Sequence, residues 1–356
     1  MLATGAVPAR PPIAGLEKLG PRDGVHLLHT IGDMHALAGG LQQRQARSVV
    51  IIGAGYLGME MAEALRTRGV RVTVLERLPQ VLPATLDAQL AAQLEETLGR
   101  HDVEVHTHTP VAAITRDGAH LVVHGPDATT WHADLVLVVT GVRPDSRLAA
   151  EAGLRLGVHG AIAVDRHMRT SASGVFAAGD CVVTYHRLLG ADTYLPLGTT
   201  AHKQGRVAGE NAIGGRRVFA GSLGTQVVRV FDQVAAATGL RDAQAAAAGF
   251  DPVTVEAVAD DHKAYYPGAT PLRLRLTGDR RSGWLLGAQL LGHVGAEIAK
   301  RIEILATAIA YGATVEEISD LDLSYTPPLG SPWDALQQHA ARAWTTAATH
   351  RPTRTP

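Results

Sequence analysis

The sequence predicts an α/β fold of more than one domain, and three observations carry that prediction. A glycine fingerprint, Gly53-Ala54-Gly55-Tyr56-Leu57-Gly58, lies between an apolar β-branched run and a helical stretch. A second β-branched run, Val70–Leu75, follows it and ends on an acid, Glu76. From about residue 219 the pattern changes to alternating segments at Gln226–Phe231, Val253–Ala257 and Leu272–Leu276, which read as an antiparallel sheet. A chain of 356 residues has room for two or three domains with a sizeable core.

Taken in order, residues 1–15 are a short apolar strand end running into glycine and proline. Ser48–Ile52 is a strand, Met59–Arg68 is helical, and Gly69 caps that helix. Leu86, Leu90, Leu94 and Leu98 recur at i+4, so residues 86–98 form an amphipathic helix. Val103–Val105 begins a strand. Asp117-Gly118 between Val111–Thr115 and His120–His124 reads as a hairpin turn. Asp134–Thr140 is a buried strand closed by Gly141. Ala161–Val164 and Gly174–Ala178 are short strands, the second ending in Gly179-Asp180-Cys181. A helix starts near Thr199. Two more span about 295–311 and 332–345, the latter with Ser331 as N-cap and Pro332 at its first position. Thr314 and Glu317 have capping-box spacing.

The fingerprint implies a dinucleotide site. Gly53 permits the tight turn, Gly55 lets a pyrophosphate touch backbone, and Gly58 lets helix and strand pack closely. The helix N-terminus offers unpaired N–H groups to the phosphates. Glu76 can accept from a ribose 2′-hydroxyl and would repel a 2′-phosphate, which favours NADH; the adjacent Arg77 softens that preference toward NADPH.

Composition excludes several classes. The formal net charge is -1, so no basic excess points to nucleic acid. The single cysteine, Cys181, rules out a disulfide framework and a cysteine-only metal cluster. His106 and His108 alternate without a third ligand, and no metal is expected. The apolar stretches Asp134–Gly141 and Ile302–Ala310 are too short to span a bilayer, and residues 1–15 lack a signal-peptide pattern. The expectation is a soluble cytoplasmic protein.

With these residues in view, the chain resembles the FAD- and NAD(P)H-dependent pyridine nucleotide–disulfide oxidoreductases, most of all the coenzyme A disulfide reductase, NADH oxidase and persulfide reductase branch. The resemblance runs to about residue 340. It rests on Ala3–Pro8 with Pro11–Gly15, on Gly53–Glu60, on Thr170-Ser171 with Val175–Asp180, and on Tyr185-His186-Arg187 through Tyr194–Arg206. It implies a Rossmann-like NAD domain (46–150) inserted in a partial FAD domain (1–45 and 151–218). A dimerisation domain (219–342) and a disordered tail (343–356) follow. It implies that Thr4, Gly5, Gly179, Asp180, Thr200 and Ala201 meet FAD. Gly53, Gly55, Tyr56, Leu57, Gly58, Glu76 and Gly141 meet the nicotinamide nucleotide, and Glu60 lies where nicotinamide meets flavin. Tyr266 and Tyr325, with Tyr265 as the alternative to Tyr266, would serve the partner subunit's active site in a homodimer. The helix near Thr200 would point its positive end at the flavin ring.

The resemblance also implies an activity: hydride passes from NAD(P)H to FAD and on to a small disulfide or persulfide such as coenzyme A disulfide. The sequence departs from the family in having neither the first glycine fingerprint, which holds the FAD adenosine diphosphate, nor the redox cysteine after it. An N-terminally truncated reading frame or one piece of a split gene is therefore expected. The alternatives are an inactive NADH-binding, dimerising remnant and an NADH oxidase.

Overall fold

The computed structural model describes residues 1–349. Two compact units emerge: Met1–Tyr185 with Asp192–Gly221, and His186–Ala191 with the chain from Ser222 onward. Among the described residues no helix is long and apolar enough to cross a membrane.

The first unit is built on a five-stranded parallel sheet. Its spatial order is Val25–Leu27, Leu135–Val138, Ser48–Ile52, Arg71–Leu75, Val103–His106. β-branched residues fill the central strands, and successive side chains alternate between the two faces. Val50, Ile52, Val136 and Val138 face a core shared with Ile114, Leu121 and Val123. Those last three come from an antiparallel meander of Ala113–Asp117, His120–His124 and Thr130–Ala133. The expected hairpin is therefore present, with a third strand that the sequence did not announce. The predicted leucine stripe is buried throughout: Leu86, Leu90, Leu94 and Leu98 are each 0% exposed. Its helix spans Ala88–Arg100, so Leu86 packs from the turn just before it.

The expected boundary at residue 45 needs correction. Val25–Leu27 pairs in parallel with Leu135–Val138, so it is the edge strand of this sheet rather than part of a separate domain. The Ile31–Gln43 helix follows it directly, closed at its start by a Thr30–Asp33 capping box. Around residues 160–180 the expected strands shrink to single bridges. Leu2 pairs in parallel with Ala177, and Ile162 with Val182. Ala6–Pro8 pairs antiparallel with Val142–Pro144.

His26, on the edge strand, is 1% exposed, and neither ring nitrogen has a partner. Burial first, and then the Arg44 charge, hold its pKa below the ordinary 6.5, against a smaller pull from Asp33. A histidine depressed in the folded state stays neutral there, while the unfolded chain takes up the proton. Its contribution to stability is therefore complete above pH 6.5 and is lost as pH falls from 6.5 toward the lower folded value. Melting temperatures measured between pH 7.5 and 5 should show this decline. His26→Leu should make it shallower, and an unchanged slope would reject the assignment.

The second unit is a five-stranded antiparallel sheet in the order Gln226–Val230, Gln233–Gly239, Leu285–His293, Pro271–Asp279, Pro252–Asp260. Leu272, Leu274 and Leu276 alternate onto the face where Ile298, Ile302, Leu305 and Ile309 of the Ile298–Ala310 helix pack. The Thr314–Glu317 capping box closes as the spacing implied, with Thr314 N donating to Glu317 at 2.7 Å. The last helix departs from expectation. Asp334, not Ser331, stands at its start, and its Oδ1 accepts from Leu336 N at 3.0 Å. One turn of wider π-helix, Leu336–Ala341, leads into Arg342–Thr349. The expected disordered tail is thus helical over 343–349, because buried Trp344 anchors it by donating to Val253 O at 2.7 Å. The rest of that expected tail, 350–356, lies outside the described residues.

Candidate functional site

Two clusters of candidate residues lie in the first unit, the first of them at the carboxyl end of a parallel strand, where α/β sheets bind ligands. The first is the glycine turn between Ser48–Ile52 and the Tyr56–Thr67 helix, which starts one turn earlier than expected. Gly53 adopts φ +109, and a Cβ there would meet Val139 O at 2.6 Å. A Cβ on Gly58 would lie 2.1 Å from Gly53 O. Gly55 is different: nothing lies within 4 Å of its Cβ position, so the turn is open on that side. The two flanking glycines close the turn onto the sheet, and the middle one leaves room for a ligand. That cradle fits a dinucleotide pyrophosphate.

Glu76 is where the fingerprint needs an acid, but it is 7% exposed and already bonded. Its Oε2 accepts from Ala54 N at 2.8 Å and its Oε1 from Leu78 N at 2.9 Å. The carboxylate therefore holds the glycine turn in place and keeps lone pairs for a ribose hydroxyl. Arg77 is exposed beside it. Tyr56 and Leu57 open the helix. The Tyr56 hydroxyl is pushed up to about 12, chiefly by burial, with Glu60 adding and Thr85 opposing. Glu60 is itself raised, by partial desolvation and then by Glu63, so it holds a proton more readily than an ordinary carboxyl. Gly141, at φ +102, follows the Leu135–Val138 strand, and its carbonyl accepts from Ala9 N at 2.9 Å.

The second cluster forms where Leu2 and Ala177 run in parallel. Thr4-Gly5 leaves one strand end and Gly179-Asp180 the other. Thr4 Oγ1 donates to Asp145 O, and Asp145 N donates back to Gly5 O at 2.9 Å. Gly179, at φ +88, lies against the first turn of the Gly198–Ala212 helix, with Ala201 Cβ 3.7 Å from its own Cβ position. Thr200, next to Ala201 in that turn, is buried. The Asp180 carboxyl is raised by burial, against His29. Glycine backbone, an acid and a helix N-terminus meet here, a donor and acceptor set that fits one wall of a flavin site.

Sequence reasoning missed the residue that joins these parts. Gln204 is 0% exposed; its Oε1 accepts from Gly179 N at 3.1 Å, and its Nε2 donates to Thr184 Oγ1 at 3.1 Å. A glutamine on an exposed-looking helix face gave no signal, because its partners lie twenty or more residues away. Gln204→Leu should cost about 1–3 kcal/mol, since it strands a buried N–H and hydroxyl. A urea titration with unchanged midpoint would refute that.

Cys181 is buried, and its Sγ donates to Ala178 O at 3.3 Å, a packing role. The paired-histidine idea fails on geometry. The strand ends at His106, which contacts Glu104 at 2.7 Å, and His108 has turned to φ +52. Among the described residues no three potential ligands gather for a metal.

The tyrosines belong to the second unit. Tyr265 and Tyr266 lie on the loop between Pro252–Asp260 and Pro271–Asp279, 74% and 41% exposed, and Tyr325 is 42% exposed. The Tyr325 hydroxyl is raised by local desolvation first and then by neighbouring Tyr265. Tyr266 instead meets His262 edge-on at 6.2 Å.

Comparison with known proteins gives the family. Residues 1–205 match the model of the pyridine nucleotide-disulphide oxidoreductases, and residues 225–335 match the dimerisation domain of the same group. The chain is 35% identical over 337 residues to the NAD(P)H sulfur oxidoreductase (CoA-dependent) of Pyrococcus furiosus, covering 94% of this chain and 74% of that protein. It is 27% identical to the coenzyme A disulfide reductase of Staphylococcus aureus, covering 89% and 70%. The solved NAD-dependent persulfide reductase from A. fulgidus superposes with TM-score 0.91 at 40% identity, covering 97% of this chain. The chain spans 62% of that structure's length.

Proposed function

Since the chain belongs to the pyridine nucleotide-disulphide oxidoreductase family, we propose that it is a flavin-dependent NAD(P)H oxidoreductase. It would pass hydride from NAD(P)H to FAD and on to a small disulfide or persulfide such as coenzyme A disulfide, as a homodimer. The observation that carries this reading is that one unit holds both a glycine cradle closed by a buried acid and the Gly179-Asp180 wall. The sulfur chemistry rests on the names of the relatives, which include persulfide, sulfur and coenzyme A disulfide reductases.

FAD, when bound, relays the hydride between nicotinamide and sulfur. The chain's own residues bind and orient. Gly55 admits the pyrophosphate to the backbone N–H groups that open the Tyr56–Thr67 helix. Glu76 accepts from the adenosine ribose, and its charge favours NADH over NADPH. Glu60, one turn into the helix, would lie beside the nicotinamide, with a carboxyl that burial makes readier to take up a proton than an ordinary one. The first turn of the Gly198–Ala212 helix, at Thr200 and Ala201, turns its positive end to the flavin ring and stabilises negative charge there. Tyr325, with Tyr266 or its neighbour Tyr265, would offer hydroxyls to the sulfur substrate in the partner subunit's site.

The test is the visible spectrum of the purified chain with added FAD, before and after anaerobic NADH. A flavin band that bleaches supports the reading, and coenzyme A disulfide should then restore it. A chain that binds NADH but never retains flavin would sink it in favour of a nucleotide-binding, dimerising module. A flavin reoxidised by oxygen and not by the disulfide would favour the NADH oxidase reading.

A further inference from the structure

Arg301 is 6% exposed on the Ile298–Ala310 helix, in a position where the leucine–isoleucine face of that helix would otherwise continue. A buried guanidinium is costly unless every donor is used. Here four hydrogen bonds reach three different chain segments. NH2 donates to Asp261 O at 2.7 Å and to Asp334 Oδ2 at 3.1 Å, Nε donates to Asp334 Oδ2 at 3.4 Å, and NH1 donates to Ala296 O.

Two of these anchors each control a tyrosine segment. Asp261 closes the base of the loop that carries Tyr265 and Tyr266. Its N–H donates to Thr270 O at 2.9 Å, and its Oδ1 accepts from Thr270 N at 2.7 Å and pairs with His262 Nδ1 at 3.1 Å. Asp334 stands at the far end of the segment that carries Tyr325. Its N–H donates to Gln337 Oε1 at 3.2 Å, and Gln337 Nε2 donates to Leu321 O at 2.7 Å, at the near end. The stretch from Leu321 to Asp334 is thus clipped at both ends, and Arg301 ties that clip to the other loop.

We infer that Arg301 is a positioning residue. Its guanidinium fixes the loop of Tyr265 and Tyr266 against the segment of Tyr325. The functional meaning rests on the proposed role of those tyrosines toward a sulfur substrate; the geometric claim does not. Lysine cannot replace the residue, because one ammonium lacks the planar fork that reaches acceptors on three segments.

The experiment is a tyrosinate titration at 295 nm on the full chain, with no NADH, flavin or disulfide present. Tyr56 and Tyr194, both raised by burial in the first unit, titrate late in every variant and serve as internal references. Tyr325 joins the late limb because of its surroundings and Tyr265. Tyr265→Phe should remove one tyrosine from that limb, and Arg301→Met should remove the same one. If Arg301→Met does not fold, Arg301→Lys decides, and the same loss is expected. A merely structural arginine would lower the melting temperature and leave the late limb intact, which would overturn the inference. Failure of the wild-type chain to reduce coenzyme A disulfide would count against the proposed function only. Where that activity is present, Arg301→Lys should raise KM for the disulfide and leave the rate of flavin reduction by NADH unchanged.

Discussion

Replacing Gly58 by alanine is expected to abolish tight NADH binding and to destabilise the first unit. The added methyl would sit 2.1 Å from Gly53 O and 3.1 Å from Gly53 C, both backbone atoms. Gly53 cannot retreat, since its own Cβ position already lies 2.6 Å from Val139 O at the end of the neighbouring strand. The helix must therefore lift off the sheet. Overpacking of this kind costs about 1–3 kcal/mol, and alanine's better helix propensity returns about 1 at most. The lifted helix also moves its N–H groups off the phosphates, so at least a tenfold weaker complex follows from about 1.4 kcal/mol of lost interaction. Gly55→Ala is the control. Its φ of −76 suits any residue, and nothing lies within 4 Å of the new methyl. That variant should melt like the wild type and lose NADH, because the methyl occupies the ligand's approach. NADH fluorescence titrations beside thermal melts separate the two. If Gly55→Ala binds NADH normally, the pyrophosphate does not lie on this turn.

The parts of the molecule legible in the sequence are those fixed by local chemistry. Ser48–Ile52 matches its expected bounds because a β-branched run meets a glycine that must turn at φ +109. The Gly198–Ala212 helix and the Thr314 capping box were equally local. What stayed hidden depends on distant partners. Leu285–His293 is the middle strand of the second sheet, buried on nearly every residue, so it shows no alternation to read. Gln233–Gly239 carries Ala235 and Ala236 at its centre, too small to mark a face. Val25–Leu27 is three residues long and gains its identity only from Leu135–Val138, more than a hundred residues on. At the candidate site the glycines and Glu76 were readable from spacing. Gln204, Arg301 and Asp334 were not, because a polar residue on a helix looks solvated until its buried acceptors are known. Tyr265 and Tyr266 are adjacent, and only the fold shows that Tyr266 meets His262 edge-on.

Glu76 carries the second large effect, and the structure changes what its loss should do. Read from spacing alone, Glu76→Ala would relax the preference for NADH and leave stability untouched. In the fold the carboxylate is 7% exposed and accepts from both Ala54 N and Leu78 N. Alanine strands the buried Ala54 N–H inside the glycine turn, at about 1–3 kcal/mol, and leaves the part-buried Leu78 N–H without its acceptor. The turn then loses the tether that holds it beneath the phosphates. Stability should therefore fall by about 1–3 kcal/mol, and NADH and NADPH should both bind poorly. Glu76→Gln is the sharper variant, because it is nearly isosteric. Its amide has one acceptor oxygen where the carboxylate has two, so its NH2 must face one of the two N–H donors. It should keep part of the stability and still weaken NADH, without gaining NADPH despite exposed Arg77. Melts and paired titrations with the two nucleotides read all of this. A Glu76→Ala chain that melts normally and accepts NADPH would show that the carboxylate serves only the ribose, and that the turn is held by the glycines and the sheet without it.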